Sequence, residues 1–125
     1  MAQKTTAELR YSDEDLQEFR AIIEKKLERA QDDLEFYTTS LKSMADNPDA
    51  KVKGLDDGTG SAEIERLNTL AGRQQKLIRH LENALIRIEN KIYGVCRQTG
   101  ELIPKARLRA VPHATLSVEA KNARR

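Results

Sequence analysis

The sequence predicts an all-α fold: a long antiparallel coiled-coil hairpin, then a small lobe ending in a short C-terminal helix. Three observations point there. Apolar residues recur every three or four positions over two stretches of similar length, the period of a helix that buries one seam. A single interval rich in Gly, Pro, Asn and Asp separates the two stretches. Composition agrees: 34% of residues are charged, only 38% are hydrophobic, and there is no Trp. A compact sphere of 125 residues usually carries more apolar residues, whereas a helix pair buries only a stripe of each partner.

The first helix is expected over residues 12–45. Ser12 stands where an N-cap belongs, and Asp13, Glu14 and Asp15 suit the positive end of the helix dipole. Its seam reads Leu16, Phe19, Ile23, Lys26/Leu27, Ala30, Leu34, Tyr37, Leu41 and Met44. Residues 1–10 show no clear period and are expected to fray. The interval 46–60 holds Pro48, Gly54, Gly58 and Gly60, which is turn chemistry. The second helix, 61–92, follows Ser61 with the seam Ile64, Leu67, Ala71, Gln74, Ile78, Leu81, Leu85, Ile88 and Ile92. Gln74, beside Gly72, is either a weak point or a register device. At 1.5 Å per residue each helix would be on the order of 45 Å long. The alternative, one continuous dimerising helix, is opposed by the glycines and proline between the seams. Residues 93–125 change character, with Gly94, Gly100, Pro104 and Pro112 punctuating short apolar pieces, and a last helix is expected over about 114–121.

The formal charge of +2 conceals an asymmetry. Residues 1–90 carry 14 Lys/Arg against 18 Asp/Glu, while residues 91–125 carry 8 against 2. A basic end segment meets an anionic partner or is a solvated tail. Nonspecific nucleic-acid binding through Arg107, Arg109, Lys121, Arg124 and Arg125 would be weak and salt-dependent, and few aromatics are available to stack bases. Specific DNA recognition is not expected, nor is a membrane partner. Cys96 is the only cysteine, so no intramolecular disulfide forms, and no apolar run approaches a membrane span. The expectation is a soluble, cytoplasmic monomer. No nucleophile–base–acid set or phosphate-cradling glycine loop is present, so an enzyme is not expected.

The stretch Lys76-Leu77-Ile78 … Ile88-Glu89-Asn90-Lys91-Ile92-Tyr93-Gly94-Val95-Cys96, continued by Gly100-Glu101-Leu102-Ile103-Pro104 … Arg107-Leu108 … Pro112 … Ala114, resembles the bacterial DksA/TraR family. The resemblance extends over most of residues 12–121. It implies a coiled-coil hairpin joined to a zinc-finger-like lobe, and a regulator of transcription that binds RNA polymerase. The hairpin would enter the secondary channel and present acidic residues at its tip, modulating initiation. The alternative is a structural or adaptor coiled coil that binds another protein or itself.

The family's finger is spaced C-x2-C-x17-C-x2-C, which falls here on Cys96, Thr99, Ser117 and Ala120. Hydroxyls are poor ligands for structural zinc and Ala is none, so the finger is read as degenerate, with no metal or other cofactor expected. Leu102, Ile103, Leu108, Val111, Leu116 and Val118 are expected to pack an apolar core in the metal's place. Cys96 is read as a small buried apolar residue, with a reactive thiol as the alternative. The second acid of the family's Asp-x-x-Asp-x-Ala tip motif falls on Asp56, with Asp57 beside it, while its first acid falls on Lys53 and its Ala on Gly58; an ordinary Asp-Gly turn is the competing reading. Arg73 takes the position of a shaft arginine that supports polymerase function, or is simply solvated. Some relatives bind guanosine tetraphosphate through basic groups at the hairpin base. Lys121 keeps one such position, His80 and Val111 replace two others, and Arg107 and Arg109 lie close by in sequence.

Overall fold

The structure, a computed structural model, describes residues 10–46 and 59–123. Among the described residues four helices follow in order: α1 (Asp13–Asp46), α2 (Thr59–Glu89), α3 (Lys105–Ala110) and α4 (Val118–Ala123). The fold is all-α, and the two long helices pack against each other through their apolar seams. Among the described residues no strand occurs, and one isolated antiparallel bridge joins Val95 to Leu102. Asp56 and Asp57 lie outside the described residues.

The ends of the long helices have local causes. Ser12 caps α1, its hydroxyl accepting the amide of Asp15 at 3.1 Å. Helix α2 begins at Thr59, two residues before Ser61, so Glu63 and Glu65 fall beyond its first turn. It stops at Glu89, short of Ile92, because Lys91 adopts a left-handed conformation with φ 64°. The amide of Ile92 then reaches back to the Arg87 carbonyl, and that of Lys91 to Ile88, each at 3.0 Å. This is the hydrogen-bond pattern of a Schellman cap, formed here by a lysine where glycine is usual.

The chain divides into two compact units. One comprises Leu27–Arg79, the distal parts of α1 and α2. Ala30, Leu67 and Ala71 are buried there, while Leu34, Tyr37, Leu41, Met44, Gln74 and Ile78 are half-buried. Ile64 departs from the expected seam at 37% exposure, and Phe36, outside it, is 65% exposed. Two helices cover only one side of each other, so residues flanking such a seam stay partly wet.

The other unit takes in the chain through Lys26 and from His80 onward. Its centre is aromatic. Phe19 lies between Tyr11 and Tyr93, with ring centroids 5.7 Å and 5.4 Å away. Around them Leu16, Ile23, Leu81, Ala84, Ile88, Ile103 and Leu108 are buried. Each buried tyrosine hydroxyl finds a carbonyl: Tyr11 donates to Ile103, and Tyr93 to Pro112 at 2.8 Å. These bonds satisfy polar tips that would otherwise be costly to bury.

The expected lobe core is therefore corrected. Ile103 and Leu108 are buried, but Leu102 and Val118 are exposed, and Val111 and Leu116 are only half-buried. Ile92 is also exposed rather than continuing the seam, because the helix cap turns the chain before it. Tyr11 and Tyr93 fill the space instead. The last helix starts at Val118, later than expected, behind Ser117, whose hydroxyl accepts the amide of Ala120 at 3.1 Å.

Gly94 makes the aromatic packing possible. It has φ +81°, and a Cβ there would lie 2.5 Å from Cδ2 of Tyr11. Gly94→Ala should therefore destabilise the fold by at least about 2 kcal/mol, from left-handed strain plus displacement of the Tyr11 ring. Urea unfolding measures this; a variant as stable as wild type would remove the tight ring contact from the account.

Candidate functional site

The second unit carries the lobe on which the four finger positions were expected. Residues 94–103 form a tight return: the amide of Ile103 donates to Gly94 at 2.7 Å, that of Cys96 to Glu101 at 2.7 Å, and that of Gly100 to Cys96 at 2.8 Å. The amide of Arg97 then donates to Thr115 at 2.9 Å, tying this return to the segment before α4. Those bonds bring the two halves of the finger pattern together. Cys96 is 1% exposed, and its sulfur accepts the amide of Ser117 at 3.4 Å. Thr99 also faces this sulfur, and Ala120 is tied to Ser117 through its amide, which donates to the Ser117 hydroxyl at 3.1 Å.

Burial raises the pKa of the Cys96 thiol, but the Thr99 hydroxyl and the amides of Ser117, Thr99 and Gln98 outweigh that effect and bring it down to about 6. The sulfur is thus buried as expected, but in a cradle of donors rather than against hydrocarbon. That cradle would stabilise a metal-bound thiolate. The donor set does not fit zinc: it offers one thiol, two neutral hydroxyls and an alanine methyl. Among the described residues no group of three or more His, Cys, Asp or Glu is placed to hold a metal ion.

The cations of this unit fall into two groups. One is neutralised by the acidic start of α1. Lys91 and Arg10 pair with Asp13 at 2.7 Å and 3.3 Å, Lys105 with Asp15 at 3.0 Å, and Arg109 with Glu18 at 3.4 Å. Arg20 pairs with Glu89. The Lys91 bond holds the Asp13 carboxyl below its usual pKa, and the Lys105 bond does the same for Asp15. These pairs are exposed and each contributes at most a modest amount, but they fix which side of the lobe is electrically quiet. The second group is Arg87, Arg97 and Arg107, which bond to backbone or hydroxyl oxygens instead. Lys121 is exposed on α4. Arg73 is exposed on α2, in the unit spanning Leu27–Arg79.

His80 and His113, far apart in sequence, stack with ring centroids 5.3 Å apart and planes 12° from parallel. Sequence reasoning missed this pair, since nothing in either histidine's surroundings in the chain signals the other. Nδ1 of His113 is buried without a hydrogen-bond partner. Burial, then His80 and Lys26, pushes the His113 pKa below its ordinary 6.5.

Two predictions come from this site. The folded chain resists protonating His113, so the unfolded state binds the proton first as pH falls. The resulting stability is present above pH 6.5 and is lost as pH drops through the depressed folded value. His113→Phe should flatten the pH dependence of the thermal midpoint between about pH 7.5 and 5, relative to wild type; an unchanged slope would rule the residue out. Separately, Thr99→Cys, Ser117→Cys and Ala120→Cys together should restore stoichiometric zinc binding, with a thermal midpoint that falls on chelation. Wild type should be indifferent to chelator, and a metal-indifferent triple variant would show that the positions do not converge as described.

Comparison with known proteins bears on the whole chain. Residues 91–124 match the family model of the prokaryotic dksA/traR C4-type zinc finger. The RNA polymerase-binding transcription factor DksA of Caulobacter vibrioides is 50% identical over 62 residues, which are 48% of this chain and 44% of that protein. General stress protein 16O of Bacillus subtilis is 30% identical over 98 residues, 78% of this chain and 59% of that protein. The DksA of Escherichia coli K12 is 29% identical over 107 residues, 85% and 68% of the two chains. The match thus spans less than half the length of the Caulobacter relative. The solved structure of transcription factor DksA2 from Pseudomonas aeruginosa superposes with a TM-score of 0.78 at 28% identity, covering 87% of this chain and 81% of that one. Family model, relatives and fold agree on one lineage, and together they support a place for this chain in the DksA/TraR family.

Proposed function

We propose that the chain is a bacterial, cytoplasmic regulator of transcription that binds RNA polymerase. In this reading it inserts its α1–α2 hairpin into the secondary channel and modulates initiation with Asp56 and Asp57. The observation that carries it is the likeness to DksA2 over 87% of the chain, which extends through both long helices as well as the lobe. The polymerase-binding DksA proteins of Caulobacter vibrioides and Escherichia coli match 48% and 85% of this chain. Such a factor needs no chemistry of its own. It acts by contacting two conformations of the polymerase unequally and shifting their populations, so the reading makes it a non-enzyme that works as a monomer. Among the described residues no helix is long and apolar enough to cross a membrane.

Arg73, exposed on α2, supports a contact along the hairpin. Guanosine tetraphosphate is not part of the proposal. Lys121 is exposed, but His80 is stacked on His113 and Val111 is apolar, so two of the basic positions that the resemblance assigns to the alarmone offer no fixed cation. A second reading, an adaptor whose hairpin binds another helix, draws on Phe36, a large apolar side chain left 65% exposed.

The test is capture of core RNA polymerase by the purified chain, with transcription from a set of promoters read alongside. Wild type should bind and alter initiation, and Asp56→Asn/Asp57→Asn should bind with similar affinity but lose the effect on initiation. A chain that ignores polymerase and forms a stable oligomer would establish the adaptor reading instead.

A further inference from the structure

Three arginines of the second unit, Arg87 in the last turn of α2 and Arg97 and Arg107 in the lobe, are held in place without being neutralised. Arg87 directs Nη2 to the carbonyls of Ile92 and Val95, at 3.3 Å and 2.9 Å. Arg97 donates Nε to the Thr115 hydroxyl at 3.1 Å, and Arg107 donates Nε to the Leu116 carbonyl at 3.0 Å. Thr115 and Leu116 are consecutive, and Arg97 is two residues from Val95, so the anchors converge on one cluster of loops. Among the side chains that the structure describes, none of the three meets a carboxylate within 4 Å, unlike Arg10, Arg20, Lys91, Lys105 and Arg109.

A guanidinium has five N–H donors. Anchoring Arg97 and Arg107 through Nε leaves both terminal nitrogens of each without a protein partner among the described residues. Each is then a fork of fixed direction, ready for a bidentate contact with an oxyanion at little further cost in side-chain entropy. Arg87 is half-buried, and burial followed by the nearby Arg97 charge lowers its pKa. Nε of Arg87 is buried without a partner. Bringing these cations together costs energy in the free protein, and an approaching anion relieves that cost.

The surroundings favour a protein as the source of the anion. Ile92, Leu102 and Val118, all exposed, sit within a few residues of the anchoring groups. Arginines together with exposed apolar side chains are the composition of a protein–protein interface. A nucleic-acid surface would pair its cations with exposed aromatics, whereas Tyr11, Phe19 and Tyr93, the tyrosine and phenylalanine side chains described in this unit, are all buried.

We propose that Arg87, Arg97 and Arg107 form a preorganised docking face for a carboxylate-bearing surface of the polymerase. The proposal rests on the polymerase reading above and adds a second attachment, separate from the hairpin loop. The closing experiment compares wild type, Arg97→Glu/Arg107→Glu, and Arg109→Glu, which reverses a charge on the neutralised side. Affinities for core polymerase and for a free DNA duplex are measured at about 0.15 M ionic strength, where the screening length is about 8 Å. The double reversal should weaken polymerase binding by about tenfold or more, and Arg109→Glu by much less. Arg97→Lys/Arg107→Lys, which keeps charge but not the fork, should fall between. If thermal unfolding shows the double reversal is not folded, Arg97→Glu alone, at an exposed side chain, is read in its place. Wild type that fails to bind polymerase would sink the functional reading and this face with it. Wild type that binds, with reversals that bind equally well, would overturn the face alone. So would duplex binding as tight as polymerase binding that the double reversal abolishes, since that assigns the arginines to nucleic acid.

Discussion

The lobe depends on the seating of Phe19 between Tyr11 and Tyr93. That contact joins three separate parts of the chain: the residue preceding the Ser12 cap, the first turns of α1, and the turn after α2. The hydroxyls extend it further, to Ile103 and Pro112 on either side of α3. About 30 residues cannot bury much core alone, and a structural zinc site supplies on the order of 10 kcal/mol. Burying one large apolar side chain is worth about 1.5–3 kcal/mol. Phe19, Tyr93, Ile103 and Leu108, all fully buried, therefore contribute on the same scale as the metal, before the entropy of ordering them is subtracted.

The donors around Cys96 show how a metal site's framework persists without its ligands. The return of residues 94–103 is held by backbone hydrogen bonds, which do not depend on the side chains at positions 99, 117 and 120. With Thr, Ser and Ala at those positions, the backbone path still forms and amides still aim at the one sulfur. Ser117 has acquired a different task, capping α4 with its hydroxyl. A residue that is a poor zinc ligand is a good N-cap for the same reason: a neutral oxygen accepts a backbone N–H without needing to be ionised.

Charge is sorted as definitely as hydrophobicity. Asp13, Asp15 and Glu18 lie on the opening turns of α1, where the helix dipole favours them, and each holds a cation from elsewhere in the lobe. With Lys91, Lys105 and Arg109 paired, the positive excess of residues 91–125 rests on Arg97 and Arg107, anchored to Thr115 and Leu116, and on Lys121, Arg124 and Arg125. Acids at a helix start thus do two things: they stabilise the helix locally and they decide which part of the lobe remains cationic.

The sequence by itself determined the long helices, because a seam of three- and four-residue spacings and a cap such as Ser12 are local patterns with local physical causes. It also determined that the finger positions cannot form an ordinary zinc site, since ligand chemistry is a property of residue type. Only the tertiary structure decided what fills the lobe. Leu102 and Val118 looked like core and are exposed, while Tyr11, just outside the first helix, is buried. Short loop segments have no period from which to read a buried face, and contacts such as Tyr11 with Gly94 or His80 with His113 join residues tens of positions apart. The end of α2 was hidden for a related reason: Lys91 takes the left-handed conformation that glycine signals more plainly, and its ion pair with Asp13 exists only once the chain has folded back.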